Sequence, residues 1–413
     1  MSEPLALPEI RVPATATFVA LVLGLGAGWG LAETRALPAV LAVAGPVGAL
    51  WLKGLQMTIL PLVVALLVAS IARATDIARA GAVARQALIG FFVIYALAAL
   101  SAAVTFPAML RLFPIPARAY AALKASGVTG PVPGFGDFVL SILPDNIFAA
   151  LSNGAILPAI VFTVLFATAL NRIDPRARDV LMLVFDGIAA AAMVMIGWVL
   201  ALAPLGVFAL ALSLAAKSGI AALGVLAHYV AMISAAGLPV LLGGPLLAVV
   251  WGRVGLGRYL AAMLPVGAVA LATQSSLASM PSMLAACRRI GVGEASAEMV
   301  LPLAVALFRA TGPAMNLAVA LYIAQLTGVP VTLGSLTAGA VVAALTEISS
   351  PSLPGAISLV SAVGPVALAM GVPIAPLGLL VAVDMLPDLM RTLGNVAMDV
   401  ALTAAIDRRR ART

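Results

Sequence analysis

The segment Asp388–Asp399 of this 413-residue chain reads DLMRTLGNVAMD and lies in an apolar stretch from Ile374 to Ile406. At about 100° per residue, the polar side chains of this stretch fall within a sector of roughly 80° on one face of a helix. They are Asp384, Asp388, Arg391, Asn395 and Asp399. The pattern predicts one long helix over 374–406 that has a polar face and an otherwise apolar surface.

The composition around this helix is typical of a membrane protein. Hydrophobic residues make up 63% of the chain and charged residues only 9%, against about 25% charged residues in soluble domains. Several stretches without any Asp, Glu, Lys or Arg exceed the roughly 20 residues that cross a bilayer as a helix. They are 187–216, 218–252, 259–287, 310–346 and 348–383. A water-soluble globule is excluded, and the sequence predicts several transmembrane spans.

The basic residues predict the orientation of these spans. They cluster in alternate loops, which the positive-inside rule makes cytoplasmic: Arg73, Arg79 and Arg85; Arg172, Arg176 and Arg178; Arg253 and Arg258; and Arg408, Arg409, Arg410 and Arg412. The apolar run from Ala14 to Ala32 is predicted to be the first span rather than a cleaved signal peptide. We therefore expect a multi-pass protein of the cell (inner) membrane with both termini in the cytoplasm. The scattered net charge of +7 does not favour a nucleic-acid partner.

Two apolar stretches are interrupted by Ser, Pro and Gly, at 273–281 (TQSSLASMP) and at 349–355 (SSPSLPG). Such backbone is tolerated at membrane depth only where it is buried in protein or lines a cavity. Paired interrupted segments of this kind mark the binding site of inverted-repeat transporters. The alternative is a pair of serine-rich loops outside the membrane, which would divide the charge-free stretches less evenly.

The polar face of the last helix predicts a ligand site. A charged group near mid-membrane costs about 2.5–3.5 kcal/mol on insertion scales, so these side chains should face the interior of a helix bundle. The Arg391 guanidinium can bind a carboxylate with two parallel hydrogen bonds, and Asp388 can accept an ammonium group. The alternative is a set of buried ion pairs that fix the orientation of the helix. It explains Asp388 with Arg391 but gives the other three polar residues no role.

Taken in order, these segments resemble the dicarboxylate/amino acid:cation symporter family, the bacterial and archaeal relatives of the excitatory glutamate transporters. The segment 388–399 resembles its last-helix signature D-x-x-R-T-x-x-N-x-x-x-D. The tips of its two hairpins are similar to Gln274-Ser275-Ser276 with Pro281 and to Leu353-Pro354-Gly355, and its scaffold segments to 52–63, 146–158 and 203–209. The resemblance covers about residues 14–406.

The resemblance implies an all-α fold of eight transmembrane helices and two re-entrant helical hairpins, a homotrimer in the lipid bilayer, and a transport domain that moves like an elevator. The implied parts are a cytoplasmic N-terminus (1–13); mainly scaffold helices (14–257), of which the third and sixth join the transport domain; a transport core (258–406); and a basic cytoplasmic tail (407–413). The core comprises hairpin 1 (about 258–290), helix 7 (about 294–327), hairpin 2 (about 332–368) and helix 8 (about 374–406).

The resemblance also implies the substrate contacts. Arg391 falls on the ligand of the substrate's side-chain carboxylate and Asp388 on the ligand of its amino group. Further contacts fall on Thr392, Asn395, Ser275 and Ser276. Relatives that transport plain dicarboxylates tend to lack the Asp, and those for neutral amino acids tend to lack the Arg. The pair therefore favours an acidic amino acid, aspartate or glutamate, and implies transport without enzymatic activity or cofactor.

The chain departs from the family at its sodium-binding motif. Where the seventh helix should read Asn-Met-Asp-Gly-Thr, this chain has Phe308-Arg309-Ala310-Thr311-Gly312. In the third helix, Tyr-x-x-Thr-Ser becomes Tyr95-Ala-Leu-Ala98-Ala99, which keeps the tyrosine but loses the threonine and serine hydroxyls. Hard cations need several oxygen ligands, so we expect no metal site. We expect Arg309 to act as a built-in cation that faces Asp399 or the substrate. The alternative is a shifted alignment in which Arg309 points elsewhere.

Without sodium, a proton is the favoured coupling ion. Glu347 is isolated between two charge-free stretches, where desolvation disfavours the charged form of a carboxyl group. Asp384 and Asp399 are alternative carriers, and Glu347 could instead form a static bridge with Arg309. Other functions remain open: a C4-dicarboxylate or other organic-anion symporter, a passive anion pathway, or a membrane-embedded hydrolase that uses Ser275 or Ser276. The hydrolase is disfavoured because the only histidine, His228, lies in a different segment.

Overall fold

The computed structural model describes residues 13–115, 143–153, 155–218, 221–349 and 355–410. Within these ranges the regular secondary structure is helical throughout, which confirms the predicted all-α class. The helices are α1 (Ala14–Leu31), α2 (Leu37–Ala80), α3 (Ala82–Leu112), α4 (Ile147–Ser152), α5 (Ile156–Leu170), α6 (Pro175–Ala201), α7 (Ala203–Ser218), α8 (Ala221–Val250), α9 (Leu256–Thr273), α10 (Met280–Ile290), α11 (Glu294–Leu307), α12 (Gly312–Thr327), α13 (Leu333–Ser349), α14 (Gly355–Ala369), α15 (Leu377–Leu380) and α16 (Met385–Arg410).

The lengths and compositions of these helices are those of a multi-pass membrane protein. In the part of the chain that the structure describes, seven helical stretches are long and apolar enough to cross a membrane. They are Leu37–Arg73, Ala82–Leu112, Pro175–Ala201, Gly224–Val250, Leu256–Thr273, Glu294–Thr327 and Met385–Arg409. The prediction of eight full crossings stays a prediction. Length and composition alone would also count α9 as a membrane span, whereas the resemblance assigns α9 to a hairpin.

Both interrupted stretches separate two helices that pack against each other. The helices α9 and α10 are joined by residues 274–279, where Gln274 adopts a left-handed conformation (φ 50°). The helices α13 and α14 are likewise in contact, while residues 350–354 of the second interruption lie outside the described residues. These two helix pairs lie at the positions predicted for the two hairpins, and their re-entrant course in the membrane stays a prediction.

The seventh helix is broken where the sequence departs from the family motif. The first half, α11, ends at Leu307, Phe308 is extended, and α12 begins at Gly312. The backbone groups at this break are satisfied by Tyr95 of α3, whose hydroxyl donates to the carbonyl of Leu307 (2.7 Å) and accepts from the N–H of Arg309 (3.0 Å). Buried backbone groups at a helix end need such partners, so the hydroxyl of Tyr95 stabilises the non-helical backbone at the break.

The last helix starts later than the sequence pattern predicts. The stretch from 374 contains only the short α15, a turn follows, and the continuous helix α16 runs over Met385–Arg410. Pro387 lies in the first turn of α16, where its missing N–H does no harm; deeper in a helix its ring would clash with the carbonyl four residues before it. Asp384 therefore precedes the helix instead of lying inside it.

The helices α12 and α16 form the centre of the molecule. Every residue of α12 except Gln325 is buried, and this helix packs against α3, α8, α13 and α14. The helix α16 packs along α8 and also contacts α9, α10 and α11. The polar face of α16 is therefore enclosed by protein, as the cost of exposing charge to lipid requires.

Candidate functional site

The densest group of charges lies at the start of α16. The Arg391 Nη1 donates to Asp388 Oδ1 at 2.9 Å and to Asp384 Oδ2 at 3.2 Å. The hydroxyl of Tyr229, from α8, donates to Asp384 Oδ1 at 3.3 Å. All four side chains are buried. We call them the Arg391 cluster: Arg391, Asp388, Asp384 and Tyr229.

One edge of the guanidinium in this cluster has no hydrogen-bond partner in the part of the chain that the structure describes. Both carboxylates bond to Nη1, while Nε and Nη2 of Arg391 are buried and have no hydrogen-bond partner among the described residues. Leaving a buried donor unpaired costs about 1–3 kcal/mol, and more when it is charged. The planar fork of arginine matches a carboxylate with two parallel bonds. This edge is therefore suited to an incoming carboxylate, next to an aspartate that can accept an amine.

Asn395 connects α16 to the break before α12. Its Oδ1 accepts from the backbone N–H of Thr311 (3.0 Å) and from the hydroxyl of Thr311 (2.7 Å), which also lies 3.1 Å from the carbonyl of Arg391. The close approach requires Gly394, because a Cβ there would lie 2.3 Å from Cγ2 of Thr311. Thr392 uses its hydroxyl within α16, where it donates to the carbonyl of Asp388 (2.9 Å).

Glu347 lies at the N-terminal end of α12. Its Oε2 accepts from Nδ2 of Asn316 at 2.9 Å. Its Oε1 is so close to Gly312 that a Cβ on that residue would overlap with it. The positive end of the helix dipole stabilises a carboxylate in this position. Glu347, although only 2% exposed, is therefore well supplied with stabilising contacts.

Arg309 lies in the electric field of this carboxylate. Glu347 attracts it most strongly, Asp388 attracts it as well, and Arg391 repels it. Pairing of Arg309 with Glu347, with Asp399 or with the substrate stays a prediction. The backbone of Arg309 is fixed separately by Tyr95.

Asp399 differs from the other carboxylates on this face. Its side chain is fully buried, and among the described residues neither Oδ1 nor Oδ2 has a hydrogen-bond partner. Its backbone carbonyl accepts from the hydroxyl of Thr403 (2.7 Å). The nearby Tyr259 donates instead to the carbonyl of Ala397 (2.6 Å). Burying an ionised carboxylate without partners is so costly that such a group takes up a proton instead.

The structure does not bring the first hairpin's serines into bonding contact with the Arg391 cluster. The hydroxyl of Ser275 accepts from the N–H of Ala278 (3.2 Å), inside the connection 274–279. Ser275 and Ser276 are both partly buried. Their role as substrate contacts stays a prediction. In the described residues, no group of three or more His, Cys, Asp and Glu side chains is arranged to hold a metal ion.

Several residues of the site were not predicted from the sequence. Tyr229 and Tyr95 reach the site from other helices, Asn316 supports Glu347, and Thr311 supports Asn395. The alignment of 308–312 with the sodium-binding motif pointed to Thr311 as a position but gave its side chain no role. The sequence offered Tyr95 only as the retained first residue of the altered third-helix motif, without a role, and no pattern in it pointed to Tyr229.

Broken helices that meet around a buried cluster of charges, inside an all-helical membrane protein, define a secondary transporter. Comparison with known proteins agrees with this class. A model of the sodium:dicarboxylate symporter family matches residues 14–409, and the chain belongs to this family. It is a family of symporters and not of enzymes, so the hydrolase alternative is excluded.

Two groups of named relatives are similar over most of the chain. A C4-dicarboxylate transport protein of Anaeromyxobacter sp. (strain K) is 29% identical over 385 residues, which cover 90% of this chain and 85% of the relative. A proton/sodium-glutamate symport protein of Bacillus subtilis (strain 168) is 28% identical over 408 residues, which cover 95% of this chain and 91% of the relative. A C4-dicarboxylate transport protein of Deinococcus radiodurans is 26% identical over 379 residues, or 88% and 82% of the two chains.

Proposed function

We propose that this protein is a secondary active transporter for an acidic amino acid, aspartate or glutamate, that is coupled to protons and independent of sodium. The observation that carries the proposal is the Arg391 cluster, in which the free edge of a guanidinium lies beside Asp388. A carboxylate of the substrate would bind Nε and Nη2 of Arg391, and its ammonium group would bind Asp388. The relatives named for glutamate and for C4-dicarboxylates support a small acid as substrate.

The residues at the altered motif support transport without sodium. Phe308 stacks on Phe91 with ring centroids 4.4 Å apart, and Ala310, Ala98 and Ala99 are buried. These four positions offer apolar side chains where hydroxyl, amide or carboxylate oxygens would be needed for a hard cation. Arg309, in the field of Glu347, would supply a fixed positive charge in the same region.

We propose Asp399 as the proton carrier and Glu347 as the fixed counter-ion of Arg309. Of the two open assignments for Glu347, the static bridge is supported by Asn316 and by the N-terminus of α12. Asp384 has bonds from Arg391 and Tyr229. Asp399 is the carboxyl group on this face without a hydrogen-bond donor among the described residues. It can therefore bind and release a proton without breaking a hydrogen bond to another side chain.

We also propose the homotrimer and the elevator motion that the resemblance implies. The packing of α3 against α12 and of α8 along α16 supports the assignment of the third and sixth spans to the transport domain. The first span contacts α7 closely, since a Cβ at Gly24 or Gly28 would lie 2.6 or 2.3 Å from a carbonyl oxygen of α7. These contacts support a scaffold that is built from the earlier spans.

Uptake by purified protein in proteoliposomes tests the proposal. Labelled glutamate, aspartate and succinate would be offered with an inward pH gradient, with an inward sodium gradient, and with neither. We expect accumulation of glutamate or aspartate above the external concentration with the pH gradient alone. A strict requirement for sodium would refute the coupling, and succinate taken up in preference to both amino acids would favour C4-dicarboxylate symport. Equilibration without accumulation under any gradient would favour a passive anion pathway.

A further inference from the structure

A groove on the outside of the helix bundle has not been assigned a role. It lies between α3, α8 and α16 and has a volume of about 320 Å³. Its lining includes Leu97, Pro239, Gly243, Trp251 and Met398. The lining is apolar apart from Ser101, whose hydroxyl donates to the carbonyl of Ala98 (2.7 Å). Apart from this hydroxyl and the indole N–H of Trp251, the side chains of the groove offer no polar contact to a water-soluble ligand.

The position and length of the groove match one leaflet of a bilayer. It lies within stretches that are apolar and long enough to cross a membrane, Ala82–Leu112 and Gly224–Val250. Along α8 it extends from Pro239 to Trp251, which is about 18 Å at a rise of ~1.5 Å per residue. One leaflet of a typical hydrocarbon core is about 15 Å thick, half of the whole core. A single acyl chain would thus fill the groove from the membrane surface to the midplane.

The end of the groove at Trp251 carries the features of a membrane surface. The Trp251 side chain is 63% exposed, and tryptophan is enriched at the level of the lipid headgroups. Arg253 and Arg258 follow it and are exposed, and no Asp or Glu occurs between residues 187 and 293. Clustered arginines at a membrane surface attract anionic lipid headgroups.

We propose that this groove binds one acyl chain of an anionic phospholipid, with the lipid phosphate at Arg253 and the chain along Pro239–Trp251. The chain contacts α3, α8 and α16 together and touches Met398, the residue before Asp399. The lipid thereby fills a gap between three helices that carry or enclose the buried carboxyl group. The binding is specific for the headgroup charge and not for the acyl chain.

Quenching of tryptophan fluorescence tests this site directly. Purified protein would be titrated in mixed micelles with phosphatidylglycerol or phosphatidylcholine, each brominated in the middle of its acyl chains. The emission of Trp251 is obtained as the difference between the wild type and Trp251→Phe. We expect the brominated phosphatidylglycerol to quench Trp251 at a mole fraction at least three-fold lower than the brominated phosphatidylcholine. We expect Arg253→Gln to remove this difference.

A variant that fills the groove provides the control. Gly243→Leu places a side chain in the groove, where the nearest atom to a Cβ is Cε of Met398 at 3.2 Å, and should abolish the preferential quenching. Gly26→Leu adds the same side chain to α1 at a position with nothing within 4 Å and should leave it intact. If Gly243→Leu does not fold, Ser101→Leu serves the same purpose. Equal quenching by the two lipids, or unchanged quenching in a folded groove-filling variant, would overturn the proposal.

Discussion

The carboxyl groups at the two ends of the polar face of α16 differ in whether they have hydrogen-bond donors and a counter-charge. At one end, Asp384 and Asp388 share a single nitrogen of Arg391, and Tyr229 adds a further donor. At the other end, about 16 Å along the helix from Asp388 at ~1.5 Å per residue, Asp399 is fully buried and has no hydrogen-bond partner among the described residues. The same residue type on the same face of one helix therefore has two electrostatic environments.

This difference separates two tasks of the proposed transporter. Carboxylates that are compensated by a guanidinium keep their charge and can orient a substrate. A buried carboxyl group without compensation changes its protonation state at little cost to other contacts. The Arg391 cluster thus suits recognition and Asp399 suits coupling, and substitutions at the two ends should give different kinds of loss.

The largest effect is expected for Arg391→Met. The substitution leaves two buried carboxylates without their counter-charge, and breaking a buried ion pair from one side costs about 3–5 kcal/mol. We expect uptake to fall at least 100-fold and the thermal unfolding temperature in detergent to drop. Arg391→Lys retains the charge but not the fork and should give an intermediate loss. Uptake by Arg391→Met within a few-fold of the wild type would contradict the assigned role.

Asp399→Asn should affect coupling and leave recognition intact. Asparagine resembles the neutral acid in shape but cannot release a proton, so accumulation driven by a pH gradient should fall at least ten-fold while exchange of internal for external substrate continues. Both activities are measured in the same proteoliposomes. Glu347→Gln is the matched control, since it should preserve proton-driven accumulation but lower the unfolding temperature because Arg309 loses its strongest attraction. If Glu347→Gln abolished proton-driven accumulation and Asp399→Asn preserved it, Glu347 and not Asp399 would be the proton carrier.

Thr311→Val tests the connection between the two ends. The substitution removes the hydroxyl that bonds Oδ1 of Asn395 (2.7 Å), and a lost bond in a buried site costs about 1–3 kcal/mol. We expect at least a five-fold weaker apparent affinity for substrate, measured by uptake at varied concentration. Thr311→Ser keeps the hydroxyl and should behave like the wild type. A loss in Thr311→Ser that Thr311→Val does not show would assign the effect to the methyl group that packs at Gly394.

The smallest effect is expected for Tyr229→Phe. Its hydroxyl makes one long bond to Asp384 (3.3 Å), and such a bond contributes about 0.5–1.5 kcal/mol. The ring contact of Tyr229 with Tyr322 is retained in the variant. We expect a two- to ten-fold change in apparent affinity without loss of proton coupling. A loss as large as that of Arg391→Met would place Tyr229 among the essential substrate contacts.

The sequence predicted the fold where local chemistry dominates. Long charge-free stretches have few alternatives to spanning a membrane. The run 274–279 interrupts a helix because its three serines favour turns and helix caps. The start of the last helix was predicted about ten residues too early. The apolar pattern continues through 374–384, and Pro387 allows a helix to start at Met385 but not to run through from Ile374.

The residues of the site could be predicted only in part. Asp388, Arg391 and Asn395 share a helix face, which periodicity shows without any tertiary information. Tyr229 lies 155 residues from its partner Asp384, and Tyr95 lies 214 residues from Arg309. Tyr95 could be singled out as part of the altered third-helix motif, but its bonds to the break could not. Tyr229 leaves no signal in a single sequence, because the hydroxyl of a buried tyrosine can bond to any polar group that packing places near it.

By itself, the sequence determined that this is a membrane protein with a polar face on its last helix, because charge and apolar length fix what a bilayer can accept. Only the tertiary structure decided which charges compensate one another. It set Glu347 at the N-terminal end of α12, in the field of Arg309, two carboxylates on Arg391, and no hydrogen-bond donor at Asp399 among the described residues. Pairing of charges depends on distances between helices, which helical periodicity does not contain.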